Sequence, residues 1–179
     1  MSSWSQLARR IRVPLGFLLA AFYIWLARPL WASIVIGGLI AAVGLWLRAV
    51  ASGHVRKNEE LTSTGPYACT RHPLYLGSMI IAVGFAVAAR NLWIVVAMVV
   101  MFAAIYVPVI RSEEAFLRTR FPEYDDYARR VPRFGICFVN LPSLRGGFSR
   151  KLYLRHREYN ALLGSVLMLA VLVLKLLLQ

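Results

Sequence analysis

The sequence predicts an all-α, polytopic membrane protein with about five transmembrane helices and a pocket at its cytoplasmic face. Of its 179 residues, 59% are hydrophobic and only 16% are charged, and the mean hydropathy is +0.61. A soluble domain is about 45–50% apolar and about 25% charged, and a domain this small cannot bury the excess. The composition therefore excludes an ordinary soluble enzyme, a disordered chain and a disulfide-stapled secreted module.

Basic residues separate five uncharged runs, and we expect each run to form a spanning helix. The runs cover residues 13–27, 29–47, 74–89, 92–110 and 159–174. A spanning helix needs about 20 residues, with a range of about 17–25, and flanking Arg and Lys side chains can extend the shorter runs. Turns at Arg28-Pro29 and Arg90-Asn91 predict two helical hairpins, followed by a C-terminal helix at about 159–178. Residues 1–179 would then form a single integral membrane domain.

The distribution of charge predicts the orientation of these helices. With the N-terminus inside, 18 of the 21 Lys and Arg residues and all eight carboxylates fall on one face. Because basic residues are retained on the cytoplasmic side, we expect the N-terminus and any active site to be cytoplasmic, at a prokaryotic inner membrane. The same charges suit anionic lipid headgroups at about 1 kcal/mol each. The sequence contains no basic module with interleaved aromatic residues, so it gives no indication of nucleic-acid binding.

Small residues predict where two of the helices pack. Helices without a hydrophobic driving force between them associate through close backbone approach, which small side chains permit. The second run carries such a face at Gly37, Gly38, Ala41, Ala42 and Gly44, and the third carries one at Gly77, Ser78 and Gly84. These positions indicate contacts between helices rather than a catalytic or binding site.

A first cluster with possible chemistry precedes the third run. Gly65-Pro66 is a turn signal, and Pro73 suits the first turn of a helix because it lacks an N–H group. The N–H groups that follow would attract a carboxylate or phosphate, and the Arg71 guanidinium adds a forked donor for the same groups. A plain helix cap with a lipid-facing arginine is the alternative. The density of polar and aromatic side chains favours a site: Tyr67, Arg71, His72 and Tyr75 lie within nine residues.

A second cluster follows the fourth run. Pro108 predicts a kink about one turn before Glu113 and Glu114. Glu114 and Arg118 have the spacing of a helical ion pair, so the acidic pair could be a solvated salt bridge. Glu113 has no basic residue at that spacing. Because carboxylates at the end of a spanning helix are costly without a partner, the pair is a candidate site.

The remaining polar features predict no metal or covalent chemistry. Cys69-x-x-His72 lacks the second ligand pair of a zinc site. Cys69 and Cys137 allow at most one disulfide, and cytoplasmic thiols stay reduced. We therefore expect both cysteines to be dispensable. The pattern of residues 121–134 predicts an amphipathic segment at the membrane interface, with aromatic and arginine side chains at the headgroup level.

Taken together, these motifs resemble a family. Thr64-Gly-Pro-Tyr, Arg71-His-Pro-x-Tyr-x-Gly, Glu113-Glu114 and Phe121…Tyr124-x-x-Tyr127…Val131-Pro132 follow in order. The string resembles the integral-membrane methyltransferases typified by isoprenylcysteine carboxyl methyltransferase and the phospholipid N-methyltransferases, over a core region of 54–134. The resemblance implies S-adenosyl-L-methionine as cofactor, with S-adenosyl-L-homocysteine as product, and no metal. The cofactor-binding residues that it implies are Gly65, Tyr67, His72, Pro73, Tyr75, Glu113 and Glu114, with 59–62 as further lining.

The resemblance also implies a lipophilic methyl acceptor drawn from the membrane lipids. An isoprenylcysteine-type carboxylate and a phospholipid amine both remain open. The prenylcysteine enzymes carry a substrate-binding arginine one turn before a cofactor glutamate, whereas this sequence has Val109 there and Arg111 as the nearest arginine. Arg71, Glu113 and Arg111 are the catalytic candidates.

Two other functions fit parts of the sequence. An NADPH-dependent membrane reductase of the sterol-reductase type shares the Arg-His-Pro-x-Tyr string, and a basic membrane scaffold would have no chemistry at all. The adjacent Glu113 and Glu114 favour the methyltransferase. Thermal stabilisation by S-adenosylhomocysteine, by NADPH or by neither distinguishes the three.

Overall fold

The computed structural model describes residues 16–56, 59–135 and 147–179, and within these ranges the protein is all α. This confirms the predicted fold class. The helices are α1 (Gly16–Leu26), α2 (Trp31–His54), α3 (Pro73–Ala89), α4 (Leu92–Arg120), α5 (Tyr124–Arg130), α6 (Arg150–Arg155) and α7 (Tyr159–Leu177), with a 3₁₀ turn at Gly65–Ala68.

Helix length and composition fit an integral membrane protein. Helices α2, α4 and α7 contain 24, 29 and 19 residues and are apolar enough to span a bilayer. Helices α1 and α3 are apolar but shorter. The five predicted runs therefore all occur as apolar helices, and three of them reach spanning length among the described residues.

The helices alternate in direction, which gives the protein two distinct ends. At one end, the turn after α1 meets the turn after α3: the Arg28 N–H donates to the Ala89 carbonyl oxygen over 2.9 Å, and the Asn91 amide donates to the Leu26 carbonyl oxygen over 3.0 Å. Lys175, near the end of α7, donates to the Ile24 carbonyl oxygen there over 2.6 Å. We call this the turn end. The opposite, charged end carries the start of α3 and the ends of α2 and α4.

Helices α2 and α3 pack through their glycines, as the small-residue faces predict. A Cβ added to Gly44 would lie 2.6 Å from the Gly77 carbonyl oxygen, and one added to Gly37 would overlap the Gly84 carbonyl oxygen. The two pairs lie seven residues apart on each antiparallel helix. The backbones are therefore in direct contact along about two turns.

Helix α4 is irregular just before its acidic pair. Residues Phe102–Tyr106 form a π-helical turn, which Pro108 follows within the first turn of the continuing α-helix. The sequence predicts a kink at Pro108, and the structure has a π turn that ends two residues before this proline. The kink itself stays a prediction. A π turn inserts a residue and so rotates the side chains beyond it. Ring stacking of Phe102 on Tyr106, at 4.7 Å between centroids, accompanies the turn.

Candidate active site

The loop before α3 is held by the segment that follows α5. Gly65 has a positive φ of 60°, and a Cβ there would overlap the His54 ring, so both the conformation and the space require glycine. The Tyr127 hydroxyl donates to the Tyr67 carbonyl oxygen over 2.7 Å, and the Arg71 N–H donates to the Pro132 carbonyl oxygen over 2.9 Å. These bonds bring the first cluster together with the segment of residues 121–134.

Glu114 is the centre of a buried ion-pair network. Its Oε1 lies 3.2 Å from an Arg71 guanidinium nitrogen and 3.2 Å from His72 Nε2. Arg133, which follows α5, donates two bonds to the carboxylate, from Nε at 2.9 Å and from Nη2 at 2.6 Å. The Glu114 side chain is only 3% exposed. One carboxylate therefore joins α4, the start of α3 and the segment after α5.

The surroundings of His72 favour the neutral form of its ring. Burial lowers the pKa of His72 below its ordinary value, and the nearby Arg71 charge acts in the same direction, against the opposing effect of Glu114 and Glu113. Since a carboxylate can only accept, the neutral ring carries its proton on Nε2 and donates it to Glu114. The ring also packs against Tyr75 and Phe134, at 5.7 and 6.2 Å between centroids.

Glu113 has a different environment from its neighbour. It accepts a hydrogen bond from the Tyr75 hydroxyl at 3.0 Å, and no Lys, Arg or His within the described ranges forms an ion pair with it. Its side chain lines a cavity of about 520 Å³, a size typical of small-molecule sites. The lining residues are Val55, Arg56, Glu60, Leu61, Thr62, Tyr67, Arg71, His72, Leu74, Tyr75, Val109, Ser112, Glu113, Phe116, Leu117, Tyr124 and Tyr127.

Two polar atoms at this cavity are buried without a hydrogen-bond partner. They are Nε of Arg71 and Oγ of Ser112, both on residues that line the cavity. Such atoms are rare in folded proteins because each costs about 1–3 kcal/mol. Because neither atom is exposed to the cavity, a bound molecule would reach them only after the Arg71 or Ser112 side chain turned toward it. A carboxylate, two donors and several aromatic faces together suit a small cationic molecule that also carries an anionic group.

The structure separates the predicted site residues into two groups. Tyr67, Arg71, His72, Tyr75 and Glu113 line the cavity, and so do Glu60, Leu61 and Thr62 of the predicted upstream segment. The others do not line it: Gly65, Pro73 and Glu114 are buried beside it, and Arg111 is exposed on α4.

The predicted pairing of Glu114 with Arg118 is wrong. Arg118 binds Asp125 instead, with its Nε 3.0 Å from the carboxylate. The buried network supplies Glu114 with three cationic or donor groups from other elements, which outcompete an exposed neighbour on the same helix.

Nine lining residues escaped the sequence analysis as site candidates: Val55, Arg56, Leu74, Val109, Ser112, Phe116, Leu117, Tyr124 and Tyr127. Val109, Ser112 and Phe116 lie four before, one before and three after Glu113, so helical spacing alone could have placed Val109 and Phe116 on its face. Tyr124 and Tyr127 come from the segment interpreted as interfacial. Both are buried, and nothing in their local sequence distinguishes a cavity wall from a lipid-facing ring.

No group of three His, Cys, Asp or Glu side chains that could hold a metal occurs in the portion of the chain with described coordinates. Cys69 is half-buried in the loop before α3. Cys137 lies outside the described residues, so its predicted dispensability stays a prediction.

Comparison with known proteins identifies a family whose sequence model covers most of the residues that form the candidate site. A sequence model described as phospholipid methyltransferase matches residues 11–124. Nickel-cobalt-cadmium resistance protein NccN of Alcaligenes xylosoxydans xylosoxydans is 40% identical over 111 residues, which are 62% of this chain and 51% of that protein. Cobalt-zinc-cadmium resistance protein CzcN of Cupriavidus metallidurans is 37% identical over 123 residues, 68% of this chain and 55% of that protein.

A third relative bears on the chemistry. Protein-S-isoprenylcysteine O-methyltransferase B of Arabidopsis thaliana is 36% identical over 89 residues, which are 48% of this chain and 45% of that protein. The chain therefore spans about half the length of the curated relatives it matches. No solved structure matches it.

Proposed function

Because the chain belongs to the phospholipid methyltransferase family, we propose that it is a membrane methyltransferase that transfers a methyl group from S-adenosyl-L-methionine to a lipophilic acceptor. The observation that carries the proposal is Glu113, a carboxylate without a described cationic partner in a cavity at the charged end. A cavity for a soluble cofactor at the end of an apolar helix bundle is where a water-soluble donor and a lipid could meet.

The residues present fit this cofactor. The Glu113 carboxylate can accept from its ribose hydroxyls or balance its positive charges, and the Arg71 guanidinium on the cavity wall balances the charge of its carboxylate. The rings of Tyr67, Tyr75 and other lining aromatics suit a sulfonium. Glu114 then acts as a positioning residue, because its ion pair holds the Arg71 guanidinium. His72 acts in the same way one step removed, because its hydrogen bond holds Glu114.

When bound, S-adenosylmethionine supplies an electrophilic methyl group, whose bond to sulfur breaks as the acceptor's bond to carbon forms. An acceptor amine then also loses a proton, whereas an acceptor carboxylate does not. The protein's part is to orient the two reactants and exclude water. We assign the binding role to Glu113 and Arg71. Arg111 stays a predicted acceptor contact, and its exposed position limits it to the lipid surface.

We also propose that the charged end faces the cytoplasm, from the positive-inside bias. Cysteines introduced at the exposed Asp126 and at Gln179, on opposite ends of the helices, would react with a membrane-impermeant thiol reagent from opposite sides. Asp126 should be labelled only after the membrane is opened. Labelling of both positions from one side would contradict the arrangement of the helices.

Calorimetry of S-adenosylhomocysteine binding to the detergent-solubilised protein tests the function. We expect binding to the wild type and a roughly ten- to hundredfold loss in Glu113→Gln, since a hydrogen bond to a charged group contributes about 1.5–3 kcal/mol. Glu123→Gln is the matched control, because Glu123 is exposed and does not line the cavity. Binding of NADPH in place of S-adenosylhomocysteine would indicate the reductase.

The acceptor is identified by a second measurement. The wild-type protein is supplied with methyl-labelled S-adenosylmethionine and a total membrane lipid extract, and the labelled lipid is characterised. Transfer to an amine headgroup or to a carboxylate decides between the two acceptor classes. Absence of labelled lipid, with the cofactor bound, would remove the lipid acceptor from the proposal.

A further inference from the structure

Tyr106 does not line the cavity of the candidate active site, yet it packs against a residue that does. Its ring meets the ring of Tyr75 edge to face, with 5.5 Å between the centroids and 82° between the ring planes. Tyr75 is a wall residue of the cavity. Two aromatic rings prefer this arrangement because the positive edge of one points at the negative face of the other. The contact therefore supports Tyr75 from outside the cavity.

Tyr75 in turn holds the carboxylate of Glu113. Its hydroxyl donates to Oε2 of Glu113 over 3.0 Å, and the phenol must be the donor because an ionised carboxylate only accepts. Among the described residues, this hydroxyl is the one group that donates a hydrogen bond to the Glu113 side chain. A glutamate side chain has several staggered rotamers. The position of the Tyr75 ring therefore determines which of them directs the carboxylate into the cavity.

The Tyr75 ring is supported from two different elements. It packs against His72, with 5.7 Å between the centroids, and against Tyr106. His72 is held by the Glu114 network at the charged end, through a distance of 3.2 Å between Nε2 and Oε1. Tyr106 belongs to the π turn of α4. The support from Tyr106 is therefore independent of the ion-pair network.

The π turn that contains Tyr106 has a cause in the sequence. In a regular α-helix, the ring of Pro108 would clash with the carbonyl group four residues earlier, which is that of Ala104. Ala104 lies inside the π turn Phe102–Tyr106, where the helix is wider and the clash is relieved. The turn also stacks Phe102 on Tyr106, with 8° between the ring planes. Pro108 and this stacking together fix the direction of the Tyr106 ring.

Tyr106 and Glu113 lie on the same face of α4. They are seven residues apart, which is about two turns of an α-helix. Tyr75 reaches across from α3 and contacts both, Tyr106 with its ring and Glu113 with its hydroxyl. The Tyr106 hydroxyl forms no hydrogen bond with the residues that the structure describes. Any effect of Tyr106 on Glu113 therefore depends on its ring.

We propose that Tyr106 is a positioning residue for the cofactor. Its ring, placed by the π turn, holds Tyr75 so that the Tyr75 hydroxyl keeps the Glu113 carboxylate directed into the cavity. The inference rests on the proposed function for the identity of the cofactor, whereas the orientation of Glu113 is a property of the ligand-free protein. The two can therefore be tested separately.

The first test measures S-adenosylhomocysteine affinity by calorimetry on the detergent-solubilised full chain. Tyr106→Leu removes the ring, and we expect a roughly two- to tenfold loss, the contribution of one aromatic pair. Tyr106→Phe keeps the ring and should bind as wild type does. Tyr153→Leu is the matched control, because it removes the ring of a half-buried tyrosine that does not line the cavity. Wild-type affinity in Tyr106→Leu, or a loss in Tyr106→Phe, would overturn the inference.

A double-mutant cycle separates positioning from a general structural effect. Tyr75→Phe keeps the ring that Tyr106 contacts but removes the hydroxyl that holds Glu113, so its affinity should fall. Adding Tyr106→Leu to this variant should then lower the affinity no further, because the path to Glu113 is already broken. Losses that add in the double variant would show that Tyr106 acts on the fold as a whole and would contradict the proposed role.

A second measurement uses the ligand-free protein. It is treated with a water-soluble carbodiimide and glycine ethyl ester, and peptide mass spectrometry gives the rate at which Glu113 is modified, with the exposed Glu123 as internal reference. Tyr106→Leu and Tyr75→Phe should raise the Glu113 rate to a similar degree, since each releases the carboxylate, and Tyr106→Phe should not. An unchanged rate in Tyr106→Leu contradicts the inference. Failure of the wild type to bind S-adenosylhomocysteine contradicts the proposed function instead, and this rate still decides whether Tyr106 positions Glu113.

Discussion

The helix bundle and the charged end of this protein are held together by different interactions. Helices α2 and α3 meet backbone to backbone at Gly37, Gly44, Gly77 and Gly84, so that their packing depends on the absence of side chains. The charged end depends on one buried carboxylate, Glu114, and its partners. The bundle is therefore sensitive to added volume, and the charged end is sensitive to the loss of a charge.

The same comparison distinguishes two adjacent residues. Helical neighbours point about 100° apart, and here that angle directs Glu114 into the ion-pair network and Glu113 into the cavity. A carboxylate with three protein partners has a structural role, whereas one with a single hydroxyl partner remains available to a ligand. The predictions that follow test this division.

The largest expected effect is on stability in Glu114→Gln. Removing one partner of a buried ion pair costs about 3–5 kcal/mol, and here the cost comes from the Arg71 guanidinium, which would stay buried without its carboxylate, whereas Arg133 is half exposed and can turn to water. Unfolding of the detergent-solubilised protein, followed by heat or denaturant, measures the change. Glu113→Gln is the control and should unfold close to wild type. Equal stability losses in the two variants would contradict the division of roles.

The next effect is on helix packing in Gly37→Ala. The added methyl group overlaps the Gly84 carbonyl oxygen, and overpacking of this kind costs about 1–3 kcal/mol. Gly38→Ala is a neighbouring control, since its Cβ would lie 3.8 Å from Leu169, an ordinary contact. The difference in unfolding between the two alanine variants measures the helix contact. No difference would show that α2 and α3 are not in backbone contact.

A smaller effect concerns pH and His72. Because burial lowers the pKa of His72 in the folded protein, its neutral form is favoured by folding. Stability is complete above the unfolded-state pKa of about 6.5 and is lost as the pH falls below that value toward the folded-state pKa. The free energy of unfolding, measured from pH 8 downward, should therefore decrease less steeply for His72→Gln than for wild type. Identical slopes would mean that His72 is not buried in its neutral form.

The smallest expected effect is that of removing both thiols. Displacement at a sulfonium needs no protein nucleophile, so the double variant Cys69→Ser with Cys137→Ser should keep methyl transfer at the wild-type level. Methyl transfer into the lipid extract is the measurement, and S-adenosylhomocysteine affinity shows whether the variant is folded. A folded double variant without transfer would indicate a covalent step.

The sequence by itself determined the fold class, the five apolar helices, their turns and the small-residue faces of α2 and α3, whereas the contact between these two faces came from the structure. Each of these depends on local composition or on residues at fixed helical spacing, which a single chain displays directly. It also identified most of the polar cavity wall, from Tyr67 to Tyr75 and at Glu113. The single-domain organisation of residues 1–179 stays a prediction.

Only the tertiary structure decided which of the two glutamates faces the cavity. Glu114 is paired with Arg71, His72 and Arg133 from segments up to 43 positions away, whereas its sequence neighbour Arg118 pairs elsewhere. A second space of about 390 Å³, lined by residues of α1, α2, α3, α4 and α7, likewise has no local signature, because its walls come from five helices. Burial and long-range pairing arise from how helices cross, and helical periodicity specifies a face without specifying what that face meets.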